Sequence, residues 1–592
     1  MDASRIIVEL IAEDRAREQA PHTGTASSHA GVTRNARAPG DSGRQNVVPV
    51  LFSGGQTLAQ AVYMSGLFPP PSLCSGLARC GRCRMRLIPA PDAPPIPKPL
   101  PADRLFFTED QLALGWRLAC RHAPVPGMLA ELPEGTEFSP SLSSPPARRK
   151  TSSPAPAGTR LFLAVDLGTT SVQWQLLNVS VSPVYDPDLP ASAPRILWQG
   201  SQVNPQMGAG SDVISRLAVA QSQHGKDRLR RLTLSALRAL ALQSGEHAET
   251  QGGSGEITAL CLAANPAMTC IALGKDTASL ATAPYALPYH GGQWEKAPGL
   301  PPLWAPPQLS PFVGGDISAG YASLVFTRPA PRFPFLLADM GTNGEFLLAL
   351  SPSQAVCASV ALGPALEGIG LSCGSEARAG AVSDFTLGPG GLVAWTLPGH
   401  GDKVLPAPGD AAPPGITGTG YIALLHLLLQ SRAIDREGRF TPGQCGPLRR
   451  FFTPDTDEKT GEAFLPLPHG LRLLASDVEE TLKVKAAFSL GLHRLLLHAG
   501  LASRELAQVF LAGALGRHVS PRALEELGFF PPGMTSRLTA IGNASLAGAS
   551  LLAHDERARA DLIRWSAGAV GLAFASDPAF ARNYAEHMRY AW

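Results

Sequence analysis

From residue 160 onward, short apolar runs such as LFLAV and FPFLLA alternate with longer runs whose apolar positions return at helical spacing. The first kind has the length and composition of buried strands and the second reads as amphipathic helix, so the alternation predicts an α/β fold with a mostly parallel sheet. The best-marked helix is SDVEETLKVKAAFSLGLHRLLLHAG, where Ser476 three residues before Glu479 is a capping-box signature and Gly500 marks the stop. Nearer the N-terminus, RIIVELI and VVPVLF read as strands separated by a polar, Gly-rich stretch. The Ser/Pro/Ala run 139–159 has almost nothing to bury and reads as a flexible linker, while Pro-rich stretches at 88–103 and 405–415 read as surface loops. These breaks predict a tail or insertion at 1–46, a small cysteine-bearing domain at 47–138, the linker, and two lobes at 160–330 and 331–592.

Composition narrows the function classes. A chain of 592 residues that is 44% hydrophobic has ample material for several cores. Its 50 Lys and Arg nearly balance 48 Asp and Glu, which leaves no global field for nucleic acid or an anionic membrane. The longest apolar run, YIALLHLLLQ at 421–430, is shorter than the roughly 18 residues of a membrane span. The N-terminal residues mix acidic and basic side chains and lack a basic region followed by a long apolar core, so a cytoplasmic protein is expected.

Four of the nine cysteines fall within the first 120 residues of the chain. Cys74, Cys80 and Cys83 make C-x5-C-x2-C, and Cys120 follows in GWRLACRH. Four thiols in one small domain suit zinc or an iron–sulfur cluster, with structural disulfides as a third reading. Zinc sites usually use two C-x2-C knuckles and only one is present, whereas a three-cysteine loop with a distant fourth ligand approaches the plant-type [2Fe-2S] spacing, with one extra residue. Ser75, Gly76 and Gly81 allow backbone N–H groups close to sulfur, and Arg79, Arg82 and Arg84 add positive charge. The cysteines at 261, 270, 357, 373 and 445 lack ligand spacing and read as buried small hydrophobes.

RLFLAVDLGTTSVQW and RFPFLLADMGTNGEFLLAL share one plan: an apolar strand, an Asp, a Gly/Thr turn and a second strand. Such turns offer backbone N–H groups and the hydroxyls of Thr169, Thr170 and Thr342 to phosphate oxygens, and the carboxylates of Asp166 and Asp339 to magnesium or its waters. Each alone serves equally as an ordinary hairpin; the echo points to duplicated nucleotide-binding lobes. Glu345 is a candidate general base, against the plainer reading of a solvated strand side chain. VFLAGALGRHVSPRALEELG adds a strand, a glycine turn at Gly513 and Gly516, and a helix, suited to a flat base or to simple strand-to-helix packing.

With these motifs, the chain from about Val47 onward resembles the ferredoxin-linked ATPases of the acetate and sugar kinase, Hsc70 and actin (ASKHA) superfamily that reductively activate corrinoid proteins. NPQMGAGSDVISR, LGPALEGIGLSCG and IGNASLAGA match the same pattern. The resemblance implies an N-terminal [2Fe-2S] ferredoxin-like β-grasp domain, a flexible linker and a two-lobed ASKHA ATPase domain. It implies cluster ligands at Cys74, Cys80, Cys83 and Cys120, and catalytic carboxylates at Asp166 and Asp339. Contacts to ATP with Mg2+ fall at Gly168, Thr169, Thr170, Gly341, Thr342, Asn343, Gly344, Gly513 and Gly516. The implied partners are a corrinoid protein of a methyl-transfer system, brought from Co(II) to Co(I), and an electron donor that the sequence leaves unidentified, with a homodimer as a candidate assembly. The chain departs from the family pattern at Ala514 and Leu515 in the adenosine loop, at Thr269 and Cys270, and at Thr417 and Thr419. An electron carrier with a decayed nucleotide site and a small-molecule kinase of the same superfamily are the rival readings.

Overall fold

The computed structural model describes residues 6–13, 47–71, 73–136, 138, 159–180, 194–250, 256–327, 329–398, 404, 412–513, 518–574 and 578–592. The linker up to residue 158 and the adenosine-loop residues Ala514, Leu515 and Gly516 lie outside the described residues. The chain divides into two compact units, one of residues 1–147, 205–211 and 231–239, the other of the remaining residues.

The first unit is built on a five-stranded mixed sheet of β1 (Ile7–Ala12), β2 (Val47–Phe52), β3 (Arg84–Ile88), β4 (Trp116–Leu118) and β5 (Leu129–Glu131), in the order β2-β1-β5-β3-β4. β1 runs parallel to β2 and antiparallel to β5. Helix Leu58–Tyr63 begins with a reciprocal cap, in which Thr57 Oγ1 accepts from the Gln60 N–H and Gln60 Oε1 accepts from the Thr57 N–H. Its Leu58 and Val62 join Val8, Leu10, Val50, Met85, Leu87 and Leu118 in one core.

Two of the expected boundaries change. Residues 1–46 are not wholly a tail or insertion, because β1 is an interior strand whose Val8 and Leu10 are fully buried. Each such side chain contributes roughly 1.5–3 kcal/mol, a large share of a small domain's stability of about 5–15 kcal/mol. Residues Pro205–Ser211 and Arg231–Ala239, expected within the first lobe, belong to the first unit. There Ser75 Oγ accepts from the Ser211 N–H at 2.7 Å, and Gly208 packs so tightly that a Cβ would stand 2.8 Å from the Tyr63 backbone.

The second unit contains two six-stranded sheets of related plan. In the first, β6 (Thr159–Leu167), β7 (Ser171–Ser180) and β8 (Arg195–Val203) form an antiparallel meander, and β9 (Ile257–Ala264) pairs parallel with β6. The short strands β10 (Gln293–Glu295) and β11 (Leu303–Ala305) complete the order β10-β11-β9-β6-β7-β8. In the second, β12 (Phe335–Met340), β13 (Asn343–Ser351) and β14 (Gln354–Ala361) form the meander. A β15–β16 hairpin (Val382–Gly388, Gly391–Thr396) and a small sheet of β17 (Asp455–Thr456), β18 (Ala463–Pro466) and β19 (Arg472–Leu474) follow. β20 (Gln508–Ala512) then pairs parallel with β12, and β21 (Leu538–Gly542) and β22 (Ala569–Leu572) give the order β21-β20-β12-β13-β14-β22. The sheets are therefore mixed rather than mostly parallel, because each Gly/Thr turn returns the chain as a hairpin and makes its flanking strands antiparallel neighbours.

The best-marked helix spans Ala475–His498, with Gly500 beyond its end at φ 65°. Its cap differs from the expected one: Asp477 accepts from the Leu474 N–H at 3.0 Å, while the Ser476 N–H is taken by Glu462. A nearby acid from another segment has displaced the local signature. Helices Gly315–Val325 and Ala544–His554 cross closely, since a Cβ on Gly548 would fall 1.8 Å from the Ala319 carbonyl oxygen. Among the described residues no helix is long and apolar enough to cross a membrane.

Candidate functional site

The loop carrying the first three cysteines runs from the chain after helix Leu58–Tyr63 to the start of β3, and Cys120 follows β4. Ser75, Gly76, Ala78 and Gly81 all have positive φ, between 49° and 82°. For Ser75 and Ala78 that conformation costs about 1–2 kcal/mol each, and it turns successive N–H groups inward toward sulfur. Cys74 accepts from the N–H groups of Arg79, Cys80 and Leu77, and Cys120 from that of Ala78. Gly81 is required by packing as well, since a Cβ would stand 2.6 Å from the Phe106 ring.

The four thiols stand as two pairs. Cys80 lies against Cys74, whose thiol is drawn down to about 5 by that hydrogen bond, while Cys80 is pushed up by the same bond and by burial. Cys83 and Cys120 repeat the arrangement, with Cys83 raised and Cys120 lowered by their mutual hydrogen bond. Among the described residues no three His, Cys, Asp or Glu side chains are disposed as ligands of a single ion. Two pairs of thiols, each backed by amide donors, fit two irons that take two thiolates apiece and bind sulfide for the rest.

In the second unit, the Gly/Thr turn after β6 and the one after β12 meet. Thr170 Oγ1 and Thr342 Oγ1 are 3.1 Å apart. Both donate to one carboxylate, that of Glu367: Thr342 to Oε1 at 2.8 Å and Thr170 to Oε2. The first turn is held from outside by Asn204, whose side chain donates to the Gly168 carbonyl at 2.7 Å and whose N–H donates to that of Thr170. The fully buried Arg216 donates to the Thr169 carbonyl, and burial lowers its guanidinium to about 9 against the pull of Asp212 and Glu367.

Carboxylates crowd beside these turns. Asp166, at the end of β6, accepts from Asn543 Nδ2 at 2.7 Å and from Ser545 Oγ at 2.8 Å, and burial outweighs both bonds to raise its carboxyl. Asp339 faces Glu345 across the β12–β13 ladder and is pushed up to about 7 by burial, then by Asp166, Asp316 and Glu367. Asp316, in the first turn of helix Gly315–Val325, is pushed up to about 7 by burial and by Asp166. Glu345 is buried rather than solvated, with Oε1 lacking a hydrogen-bond partner, and its carboxyl is raised by burial and by Asp316, Asp339 and Asp166. An orphaned buried oxygen within such a group fits a hydrated divalent cation.

The structure thus brings Asp166, Gly168, Thr169, Thr170, Asp339, Gly341 and Thr342 into one region. Gly513 joins them with φ 93°, where a Cβ would lie 2.8 Å from Asp339 Oδ1. Asn343 opens β13, and its carbonyl accepts from the Gly341 N–H. Gly344 answers to packing instead, since a Cβ would meet Val360 at 3.0 Å. Sequence reasoning did not single out Asp316, Glu367, Arg216, Asn543 or Ser545. The signal for the two acids was a lone charge in a run of small and apolar residues, VGGDISAG and GPALEGIG. Of the remaining cysteines, Cys261, Cys270, Cys357 and Cys445 are buried and Cys373 is half-buried.

Residues 334–591 match the family model for the C-terminal domain of RACo, the ASKHA domain, and residues 161–328 match that for the RACo middle region. The chain belongs to the RACo family. Relatives of this RACo chain include the corrinoid activation enzyme RamQ of Eubacterium limosum, 25% identical over 441 residues that cover 71% of this chain and 69% of that protein. The [Co(II) methylated amine-specific corrinoid protein] reductase of Methanosarcina barkeri is 28% identical over 257 residues, covering 41% of this chain and 42% of the relative. A solved structure of a reductive activator for corrinoid,iron-sulfur protein superposes with a TM-score of 0.59 at 21% identity, over 91% of this RACo chain and 96% of the other, which establishes a shared fold.

Proposed function

We propose that the chain is an ATP-dependent reductive activator of a corrinoid protein, delivering one electron from a [2Fe-2S] cluster to Co(II) to give Co(I). The carrying observation is the meeting of two Asp-x-Gly-Thr turns beside buried carboxylates, in a chain that also holds paired thiols and whose relatives are named for corrinoid activation and reduction. The five-stranded mixed sheet around the thiol loop supports a ferredoxin-like reading of the first unit.

A bound [2Fe-2S] cluster supplies one-electron chemistry. Cys74 and Cys80 would hold one iron and Cys83 and Cys120 the other, while the N–H groups of Leu77, Arg79 and Ala78 offset the charge gathered on sulfur. In the second unit, Thr170, Thr342 and the turn amides would hold phosphate oxygens, and Asp166 and Asp339 would hold Mg2+, which would offset the charge on the phosphates. Asn543 and Ser545 fix the rotamer of Asp166.

Electron delivery is uphill wherever the Co(II)/Co(I) couple lies below a plant-type centre at about −400 mV. Each ~59 mV of mismatch is a factor of ten in the one-electron equilibrium, so differential binding of the partner's states, reset by ATP turnover, must supply the difference. The balance is one electron from an external donor per Co(I) formed and one water consumed per ATP hydrolysed. Asp339→Asn tests the assignment: ATP hydrolysis is expected to fall at least a hundredfold with the cluster's visible spectrum intact, and undiminished turnover would refute the role of Asp339.

A further inference from the structure

The hydroxyls that phosphate oxygens would use are already taken. Glu367 presents two carboxylate oxygens to the two turns at once, one to Thr170 and one to Thr342, and also accepts from the Thr342 N–H. Three donors from two turns of like plan, gathered on a single anionic group, is the pattern with which such turns receive a phosphate. The carboxylate is set there by a stiff support. Glu367 ends a one-turn 3-10 segment, Pro364–Glu367, flanked by Gly363 and Gly368, both at φ 73°. A Cβ on Gly368 would fall 2.1 Å from the Ser375 carbonyl oxygen, and one on Gly418 would fall 1.8 Å from that of Leu366, so the segment is clamped by backbone on both sides. Burial raises the carboxyl of Glu367, so the protein holds an acid there against its desolvation.

We propose that Glu367 is the chain's own stand-in for a nucleotide phosphate, holding the two turns together in the nucleotide-free state, and that a nucleoside triphosphate binds by displacing it. This rests on reading the turns as a nucleotide site. The side chain rotates off Thr170 and Thr342, the phosphate takes the released donors, and the joined turns pass from one anion to the other without separating. The device makes affinity for nucleotide lower than the donors alone would give, because the ligand competes with a tethered anion and meets its charge.

Glu367→Gln tests this. The amide keeps the size, removes the charge and can accept from only one of the two hydroxyls. Calorimetric titration of the full chain with MgATP is expected to show at least tenfold tighter binding in Glu367→Gln than in the unaltered protein, and Thr342→Val placed on that background is expected to abolish the gain. Wild-type binding with equal or weaker binding by Glu367→Gln would overturn the stand-in and leave the nucleotide site standing. Absence of MgATP binding by both proteins would overturn the nucleotide reading, and the proposal with it. Should Glu367→Gln not fold, hydrogen exchange on the unaltered chain decides: MgATP is expected to change protection across residues 363–369, and unchanged exchange there under saturating MgATP overturns the proposal.

Discussion

Asp339→Asn carries a stability prediction that is separate from its effect on turnover. In the folded chain free of metal, the carboxyl of Asp339 is raised from the usual 3.8 to about 7, first by burial and then by Asp166, Asp316 and Glu367. Between those values the folded protein binds a proton that the unfolded chain has lost, so stability falls as pH rises from about 4 to about 7 and is level above. Asparagine carries no charge in either state and has no such dependence. At about 1.36 kcal/mol for each tenfold change in proton affinity, the two pH units between 5 and 7 are worth roughly 3 kcal/mol. The assay is urea unfolding of both proteins with a chelator present, at pH 5 and pH 8, following a signal from the second unit. Groups remote from Asp339 cancel in the difference between the two proteins, while Asp166, Asp316 and Glu367, whose charges raise Asp339, relax when it is replaced and are read together with it. Asp339→Asn is expected to gain roughly 3 kcal/mol relative to the unaltered chain between the two pH values. A difference that stays constant would mean that Asp339 ionises normally, and the crowded-carboxylate account of the site would fail.

Three further outcomes follow from the same geometry. Cys83→Ala is expected to lose both irons and the visible absorbance while MgATP binding persists, because the thiols and the turns belong to different compact units; joint loss of both would contradict that division. Gly513→Ala forces a side chain to φ 93° and to 2.8 Å from Asp339 Oδ1, so a loss of about 2–3 kcal/mol in unfolding free energy is expected together with weakened MgATP binding. A change below about 0.5 kcal/mol would show that the strain is relieved locally. MgATP binding near pH 6.5 is expected to release protons, seen as a buffer-dependent calorimetric heat, since a cation beside Asp339 and Asp316 drives their raised carboxyls to ionise; equal heats in buffers of different ionisation enthalpy would rule that out.

The features legible in the sequence were local ones. A strand, an Asp and a Gly/Thr turn lie within a dozen residues, so the hairpins ending in Asp166 and Asp339 declared themselves, as did the three-cysteine loop with its glycines. What escaped was non-local. Asp166 owes its orientation to Asn543 and Ser545, more than 370 positions away, and Glu367 reaches Thr170 across nearly 200. Composition also misled at two points. The polar residues 14–46 separate β1 from its partner β2, so although RIIVELI reads as a strand, composition puts the domain boundary after it, at Val47, while its side chains fill the core. At Ser476 a sound capping signature lost to Asp477 and Glu462, because tertiary contacts decide among several acids that can each reach the same amides. The alternation of strands and helices suggested mostly parallel pairing, whereas the tight Gly/Thr turns themselves required antiparallel neighbours.

The central claim is that nucleotide turnover is coupled to one-electron reduction of a corrinoid. Its most direct measurement is anaerobic mixing of the reduced protein with a Co(II) corrinoid protein of a methyl-transfer system, with Co(I) trapped by methylation and counted in the presence and absence of MgATP. The account predicts Co(I) only when both the cluster and MgATP are present, with Cys83→Ala and Asp339→Asn each silent. Equal rates and yields of Co(I) with and without MgATP would contradict it.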